Sequence, residues 1–112
     1  MEILFQNNQL RKVFNGHKLL VRRFGAIQAK LIQRRLAEIR AANTLEDLRT
    51  LPQVRCHELK ENRAGQISVD VQHPYRLLFE CANDPIPHKP DGGLDWEQVT
   101  AIVVLGVEDT HG

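Results

Sequence analysis

The hydrophobic period of the chain changes near Arg55, and this change limits the folds open to it. Before Arg55 the apolar residues follow a helical spacing, most clearly over residues 26–42, where no Gly or Pro interrupts the pattern. After it, Ile67, Val69 and Val71 alternate with polar residues, which is the spacing of a half-buried strand. Helices followed by strands predict an α+β fold, with the helices on one face of a mainly antiparallel sheet.

The N-terminal part predicts one strand and two helices. Residues 2–6 predict a short strand, and Asn8 predicts the N-cap of a first helix that ends at Gly16. A basic connection is expected between Gly16 and Gly25, where the long second helix begins. Ile27 is expected on the apolar side of that helix.

The C-terminal part predicts most of the sheet. Thr44 has the spacing of a helix cap and begins a short helical turn. His73 and Pro74 predict a turn that leads into an antiparallel strand over residues 75–80. Residues 83–93 are rich in Pro and Gly and predict a long loop, and residues 99–107 predict a buried strand. The expected sheet has about four to five strands.

Length and composition exclude several classes of protein. A chain of 112 residues has the size of one domain, so we expect a single domain over residues 1–112. Cys56 and Cys81 are far apart and lack a CxxC spacing, which argues against a zinc or redox motif and predicts reduced thiols. No apolar stretch is long enough for a signal peptide or a membrane span, so a cytoplasmic location is expected. No cofactor or metal is implied.

The charges of the chain are separated along its length. Lys and Arg number 15 and Asp and Glu 14, so the formal net charge is +1. Residues 1–40 nevertheless carry nine basic and two acidic side chains, a net charge of +7, whereas residues 80–112 carry one basic and seven acidic side chains, a net charge of −6. This asymmetry indicates contact with a polyanion through one side of the molecule. The acidic loop over residues 84–97 is expected to face away from it.

Three short stretches place reactive side chains among strand residues. They are His57-Glu58-Leu59-Lys60 with Arg63 and Gly65, then Tyr75-Arg76 before the apolar Leu77-Leu78-Phe79, and finally Glu108-Asp109-Thr110-His111. Each stretch alone is weak evidence, because a lone His beside a strand is more often a surface or core-edge residue.

Together, the three stretches resemble the HigB branch of the RelE/ParE toxin family. Members of that family have a His-x-Leu-Lys-Gly-x-Arg-x-Gly stretch, then an aromatic residue followed by Arg and an apolar-x-Phe, and they end in Asp-Tyr-His. The matching residues here are His57-Glu58-Leu59-Lys60, Arg63-Ala64-Gly65, Tyr75-Arg76-Leu77-Leu78-Phe79 and Asp109-Thr110-His111. The resemblance covers nearly the whole chain.

The resemblance implies a RelE-like fold and the toxin of a type II toxin-antitoxin system. It implies a ribosome-dependent endoribonuclease that cleaves mRNA in the ribosomal A site and needs no cofactor. It also implies a HigA-like helix-turn-helix antitoxin as partner, with DNA contacted only through that antitoxin and no membrane contact.

The resemblance assigns catalytic roles that suit the chemistry. Cleavage of RNA by its own 2′-hydroxyl needs a base, a cation on the phosphate and an acid for the leaving oxygen. His57 and His111 are the candidates for base and acid, in either order, because histidine transfers protons near neutral pH. Arg76 is the candidate phosphate clamp and Lys60 can share that task. Asp109 can orient a histidine or the bound base.

The remaining predicted site residues are RNA-binding. Arg63 and Tyr75 belong to the matching stretches, and the basic N-terminal third adds Lys18, Arg22, Arg23, Lys30 and Arg34 as candidates for contact with ribosomal RNA. Thr110 stands where the family often has Tyr, which removes an aromatic surface for base stacking, and Tyr75 is the alternative surface.

Two other functions remain open at this stage. The first is a ParE-like toxin that poisons gyrase without cleaving RNA, although the presence of both histidines argues against it. The second is a degenerate toxin that only binds its antitoxin and regulates its own operon, which Thr110 favours.

Overall fold

The structure is a computed structural model that describes residues 1–110, with five strands and four α-helices in that range. The elements are β1 (Glu2–Phe5), α1 (Asn8–Asn15), α2 (His17–Phe24), α3 (Ala26–Ala41), α4 (Leu45–Arg49), β2 (His57–Glu58), β3 (Gln66–Asp70), β4 (Tyr75–Cys81) and β5 (Ala101–Asp109). Two 3₁₀ turns, Glu61–Arg63 and Trp96–Gln98, lie between strands. The α+β prediction is confirmed.

The strands form one mixed sheet in the order β1-β5-β4-β3-β2. β1 runs parallel to β5, and all the other neighbours are antiparallel. Phe79 at the centre of β4 pairs with Ile67 on β3 and Val104 on β5, and all three side chains belong to the core. Ile32 and Ile39 of α3 are buried in the same core, so the helices cover this face of the sheet. The opposite face is called the open face below.

The N-terminal helices differ from the prediction in two places. The N-cap of α1 is Asn7 and not Asn8, because Asn7 Oδ1 accepts a hydrogen bond from Leu10 N at 2.9 Å. The basic connection predicted after Gly16 is wrong, because these residues form α2. Its Leu20 is buried and its Phe24 packs near Phe14, so two apolar positions four residues apart anchor a helix whose basic residues face outward.

The long helix confirms its predicted start at Gly25, but one residue of its expected apolar side is exposed. Ile27 is 67% exposed, contrary to its expected place on the apolar side. Arg35 is buried instead, where it forms an ion pair with Glu38 at 2.7 Å and donates to the carbonyl oxygens of Asp70 at 2.6 Å and Gln53 at 3.1 Å. Arg35 therefore joins α3 to the end of β3.

The connections after α3 largely follow the prediction. Thr44 caps α4 by accepting a hydrogen bond from Asp47 N at 3.2 Å. In the Pro-rich loop between β4 and β5, the only strand-like pairing among the described residues is the isolated bridge between His88 and Leu94. After it, Trp96 lies under the Arg49 guanidinium, 4.5 Å from ring centroid to Cζ, which fastens the end of the loop to α4.

Three further features of the described residues concern membrane spans, metal sites and thiols. Among them, no helix has the length and apolar composition to span a bilayer. No three His, Cys, Asp or Glu side chains within residues 1–110 are grouped to hold a metal ion. Cys56 and Cys81 are both free thiols, Cys56 being buried.

Candidate functional site

Arg76 is the central cation of the open face. It lies on β4, where its register partners are Asp70 on β3 and Glu108 on β5. Arg76 Nε lies 3.6 Å from Asp70 Oδ1, and Nη1 donates to Ser68 Oγ at 3.4 Å. The side chain is only 19% exposed, so its guanidinium is held in a defined orientation.

A second arginine shares the carboxylate of Asp70. Arg55 Nε lies 3.3 Å from Asp70 Oδ2, and its side chain is mostly exposed. Its backbone has φ of 51°, a left-handed conformation that is uncommon outside glycine and concentrates at functional sites. Arg55, Asp70, His73, Tyr75 and Arg76 line a cleft of about 230 Å³ together with Val71. Two guanidinium groups beside one carboxylate leave a net positive charge in this cleft, which suits a phosphate.

His57 lies on the same face as Arg76. Its register partner is Ser68, which accepts the hydrogen bond from Arg76. Residues directly opposite on antiparallel strands point to the same face, with Cβ atoms about 4.5–5.5 Å apart. His57 is exposed, so its ring nitrogens are accessible next to the Arg76 cluster.

Arg63 crosses the open face over β4. Its Nη1 donates to Gln66 Oε1 on β3 at 3.2 Å, and its Nη2 donates to Glu108 Oε1 on β5 at 2.9 Å. Leu78 lies on β4 between those two strands and is fully buried although it belongs to the open face. The hydrogen bond and charge of Glu108 raise the pKa of the Arg63 guanidinium above its ordinary value. Lys60 immediately precedes the same 3₁₀ turn and is exposed.

Tyr75 and Asp109 are register partners at the end of the sheet. Tyr75 precedes Arg76 and Asp109 follows Glu108. Because side chains alternate between the two faces along a strand, Tyr75 and Asp109 lie on the helix side, whereas Arg76 and Glu108 lie on the open face. Tyr75 is 46% exposed and lines the Arg76 cleft. It also lines a groove of about 330 Å³ on the helix side. His111 lies outside the described residues, so its predicted role stays a prediction.

Comparison with known proteins identifies the family. A family model for the RelE-like toxin of the type II toxin-antitoxin system HigB matches residues 3–89. The chain belongs to the HigB-like toxin family. The matched range includes His57, Lys60 and Arg76 and ends before β5. A search of curated proteins found no match.

Family membership confirms the resemblance derived from the sequence motifs. The HigB-like toxin is the toxin of a type II toxin-antitoxin system, and such a system implies an antitoxin partner.

The basic residues predicted to bind RNA are all on the surface of the HigB-like toxin. Lys30 and Arg34 are one helical turn apart on α3 and therefore share a face. Arg23 on α2 lines the helix-side groove beside Tyr75, with its Cζ 5.9 Å from the centroid of the Phe24 ring. Lys18 and Arg22 are likewise one turn apart on α2.

Several residues of the HigB-like toxin site were missed by sequence reasoning. Ser68 and Asp70 were interpreted only as the polar positions of an alternating strand, yet both orient Arg76. The sequence assigned no role to Arg55, which lies outside the three stretches, or to Glu108, which lies in the third. Their partners lie on other strands, so only the register of the sheet reveals the contacts.

Proposed function

We propose that this HigB-like toxin is a ribosome-dependent endoribonuclease that cleaves mRNA in the A site and that a HigA-like antitoxin neutralises it. The observation that carries the proposal is the Arg76 guanidinium, oriented by Ser68 and Asp70 beside the exposed Arg55. Planar guanidinium groups bind phosphate oxygens in pairs and stabilise the charge that builds up in the transition state.

The reaction needs proton transfer on both sides of the phosphate. The 2′-oxygen of the RNA forms a bond to phosphorus while the bond from phosphorus to the 5′-oxygen breaks, which leaves a cyclic phosphate and a 5′-hydroxyl. One histidine accepts the proton of the 2′-hydroxyl and the other donates a proton to the leaving 5′-oxygen. His57 and His111 are proposed for these roles, in either order. The exposed position of His57 beside Ser68 supports its access to the phosphate.

Lys60 and Asp109 have supporting roles in the proposal. Lys60 is exposed at the start of the 61–63 turn and is proposed as a second cation for the phosphate. Asp109 is proposed to position the nucleotide or a histidine from the end of β5. Because Asp109 is the register partner of Tyr75, the role of positioning the nucleotide is favoured over that of positioning a histidine.

The shape of the cleft supports dependence on the ribosome. A volume of about 230 Å³ is below the range of about 300–1,000 Å³ typical of pockets that hold a small ligand alone. An external surface that presents the mRNA compensates for this small volume. The exposed Lys18, Arg22, Arg23, Lys30 and Arg34 are proposed to contact ribosomal RNA phosphates. The proposed activity implies a cytoplasmic location, where ribosomes translate mRNA.

Mapping of mRNA 5′ ends tests the proposed activity. We expect new 5′ ends inside translated mRNA after expression of the native chain and their loss in His57→Ala and Arg76→Ala. His88→Ala and Arg40→Ala are matched controls, because both residues are exposed and lie outside the proposed site. Identical 5′-end maps for native chain, His57→Ala and Arg76→Ala would refute the nuclease.

A degenerate toxin that only binds antitoxin is the second candidate, because Thr110 replaces the Tyr common in the family. In that case Thr110→Tyr raises toxicity sharply in an otherwise inactive chain. Full toxicity of the native chain would exclude this candidate.

A further inference from the structure

A second concave surface adjoins the Arg76 cleft on the helix side of the sheet. It is the groove of about 330 Å³ described above, and it runs between α2, the start of α3 and the ends of β4 and β5. The lining residues are Arg23, Phe24, Gln28, Gln72, Tyr75 and Val107. Tyr75 lines both concave surfaces, so a nucleotide next to one bound at Arg76 can reach this groove.

Gln28 presents an oriented hydrogen-bond donor to the groove. Its side chain belongs to a residue only 4% exposed, and its Oε1 accepts a hydrogen bond from the backbone N–H of Gln72 at 2.7 Å. Because a backbone N–H only donates, this contact determines which end of the amide is oxygen. Within residues 1–110 the Nε2 group has no hydrogen-bond partner, and it is not among the fully buried unpaired atoms. The amide therefore offers N–H donors, and its oxygen is already engaged.

The other groove residues suit a flat aromatic ligand. Tyr75 is about half-exposed, and Phe24 and Val107 are partly buried, so they offer an apolar wall beside the amide. Arg23 stands at the same groove as an exposed cation. Aromatic rings, a guanidinium and an oriented amide are the side chains that recognise unstacked bases in single-stranded RNA.

We propose that this groove binds a guanine base of the mRNA, next to the nucleotide whose phosphate contacts Arg76. The inference rests on the proposed ribonuclease function and adds a base preference to it. The Hoogsteen edge of guanine carries two adjacent acceptors, N7 and O6, which match the donors of Gln28 and Arg23. Adenine carries a donor at N6 in the place of O6, and a glutamine pairs with adenine through both its oxygen and its nitrogen. The oxygen of Gln28 already accepts a hydrogen bond from Gln72. This two-bond pairing with adenine is therefore not available.

Pyrimidines match the groove less well for two reasons. Uracil separates its two carbonyl acceptors by an N–H donor, which faces the donors of the groove. Cytosine has two adjacent acceptors but a smaller ring, so it offers less surface for stacking on Tyr75.

Titration with nucleoside monophosphates tests the proposal without requiring cleavage. The ¹⁵N-labelled full chain is titrated separately with GMP, AMP, CMP and UMP while the side-chain amide resonance of Gln28 is followed by NMR. That resonance is assigned by its absence in Gln28→Glu. We expect GMP to shift it and to bind about fivefold or more tightly than AMP, as one lost base contact predicts.

The Gln28→Glu variant tests whether the side-chain amide of Gln28 causes the preference for GMP. Its carboxylate keeps an oxygen for the N–H of Gln72 but removes the donors, so the preference for GMP over AMP should disappear. Gln33→Glu is the control, because Gln33 lies on the same helix, is exposed and undergoes the same change of charge. If Gln28→Glu fails to fold, Tyr75→Ala replaces it, with the main-chain amides of Gln72 and Val107 as reporters. Its expected result is weaker GMP binding.

The outcomes separate this inference from the nuclease proposal. Equal shifts with all four nucleotides, no shift, or a stronger effect of CMP than of GMP would overturn the guanine site. A GMP preference in a chain that does not cleave mRNA keeps the guanine site and refutes the nuclease. Cleavage of mRNA together with equal nucleotide binding keeps the nuclease and refutes the guanine site.

Discussion

Arg63 lies across β4 and donates from Nη2 to Oε1 of Glu108 on β5, 2.9 Å away. The loop that follows β2 is thereby tied to the far side of the open face. The same contact neutralises a cation that the family resemblance assigns to RNA. Release of Arg63 from Glu108 therefore adds positive charge to the proposed RNA surface.

Glu108→Gln should strengthen binding to RNA. We expect the affinity for ribosomes or single-stranded RNA to rise about threefold at low salt, because Arg63 gains access to a phosphate. The melting temperature should change little, since exposed ion pairs contribute little to stability. Binding measured at several salt concentrations checks this. Asp91→Asn is the control, because it removes the acid of another exposed pair, with Lys89. Weaker RNA binding by Glu108→Gln would contradict the prediction.

Ser68→Ala should slow cleavage without unfolding the protein. Ser68 is fully buried and accepts the hydrogen bond from Arg76 Nη1, so its loss leaves the guanidinium charged but less well oriented. Because this hydrogen bond is long, at 3.4 Å, we expect it to contribute about 0.5–1.5 kcal/mol, which predicts a decrease in kcat of about two- to thirteenfold.

Arg76→Lys provides the comparison for Ser68→Ala. It retains the charge and loses the planar fork, so a decrease of about 100-fold or more is expected. Single-turnover cleavage on programmed ribosomes measures both variants. Equal rates for the native chain and Arg76→Lys would contradict a role in phosphate clamping.

Arg35→Leu should destabilise the fold strongly. The substitution leaves Glu38 and the carbonyl oxygens of Asp70 and Gln53 without their buried partner. Removing one member of a buried ion pair costs about 3–5 kcal/mol of unfolding free energy. Arg34→Leu is the matched control, since Arg34 is exposed on the same helix and its loss should cost less than about 0.5 kcal/mol. Urea denaturation measures both, and equal losses would contradict the structural role of Arg35.

The buried Cys56 should make stability fall in alkaline solution. Burial raises the pKa of this thiol from 9.0 to about 12, and the nearby Arg49 opposes the shift only in part. Above pH 9 the unfolded chain loses this proton while the folded chain keeps it, so the unfolded state binds fewer protons. The unfolding free energy then decreases by about 1.4 kcal/mol per pH unit between about pH 9 and pH 12 from this group.

Urea denaturation of the native chain and Cys56→Ala at pH 8 and pH 10.5 isolates the contribution of Cys56. Other groups that titrate in this range are common to both chains. The native chain should lose more stability than Cys56→Ala over the interval. Parallel losses would show that the thiol is not protected by burial.

Local sequence pattern was sufficient for most of the fold. The helix from Gly25, the cap at Thr44, the alternating strand around Ile67 and Val69, and the turn at His73 were all predicted from spacing. Helix α2 was missed because its Lys and Arg residues, between Gly16 and Gly25, were interpreted as a basic connection, and Leu20 becomes a helix anchor only when α1 and α3 enclose it.

The sequence motifs indicated only part of the candidate site and none of its geometry. The motifs indicated His57, Lys60, Arg63 and Arg76, and the family match covers the same stretch of chain. They did not indicate that Tyr75 and Asp109 lie on the helix side while Arg76 lies on the open face, which depends on the pairing of β4 with β5.

The sequence alone therefore determined most of the elements that form and which reactive residues the chain contains, because helix and strand periods and capping signals depend on neighbours within a few residues. The tertiary structure decided the partners. Ser68 orients Arg76, Glu108 engages Arg63, and Gln72 occupies the oxygen of Gln28 only because the sheet register and helix packing bring these distant positions within hydrogen-bond distance. Hydrogen bonds and ion pairs act over a few ångströms, so their partners are defined by the folded coordinates and not by separation along the chain.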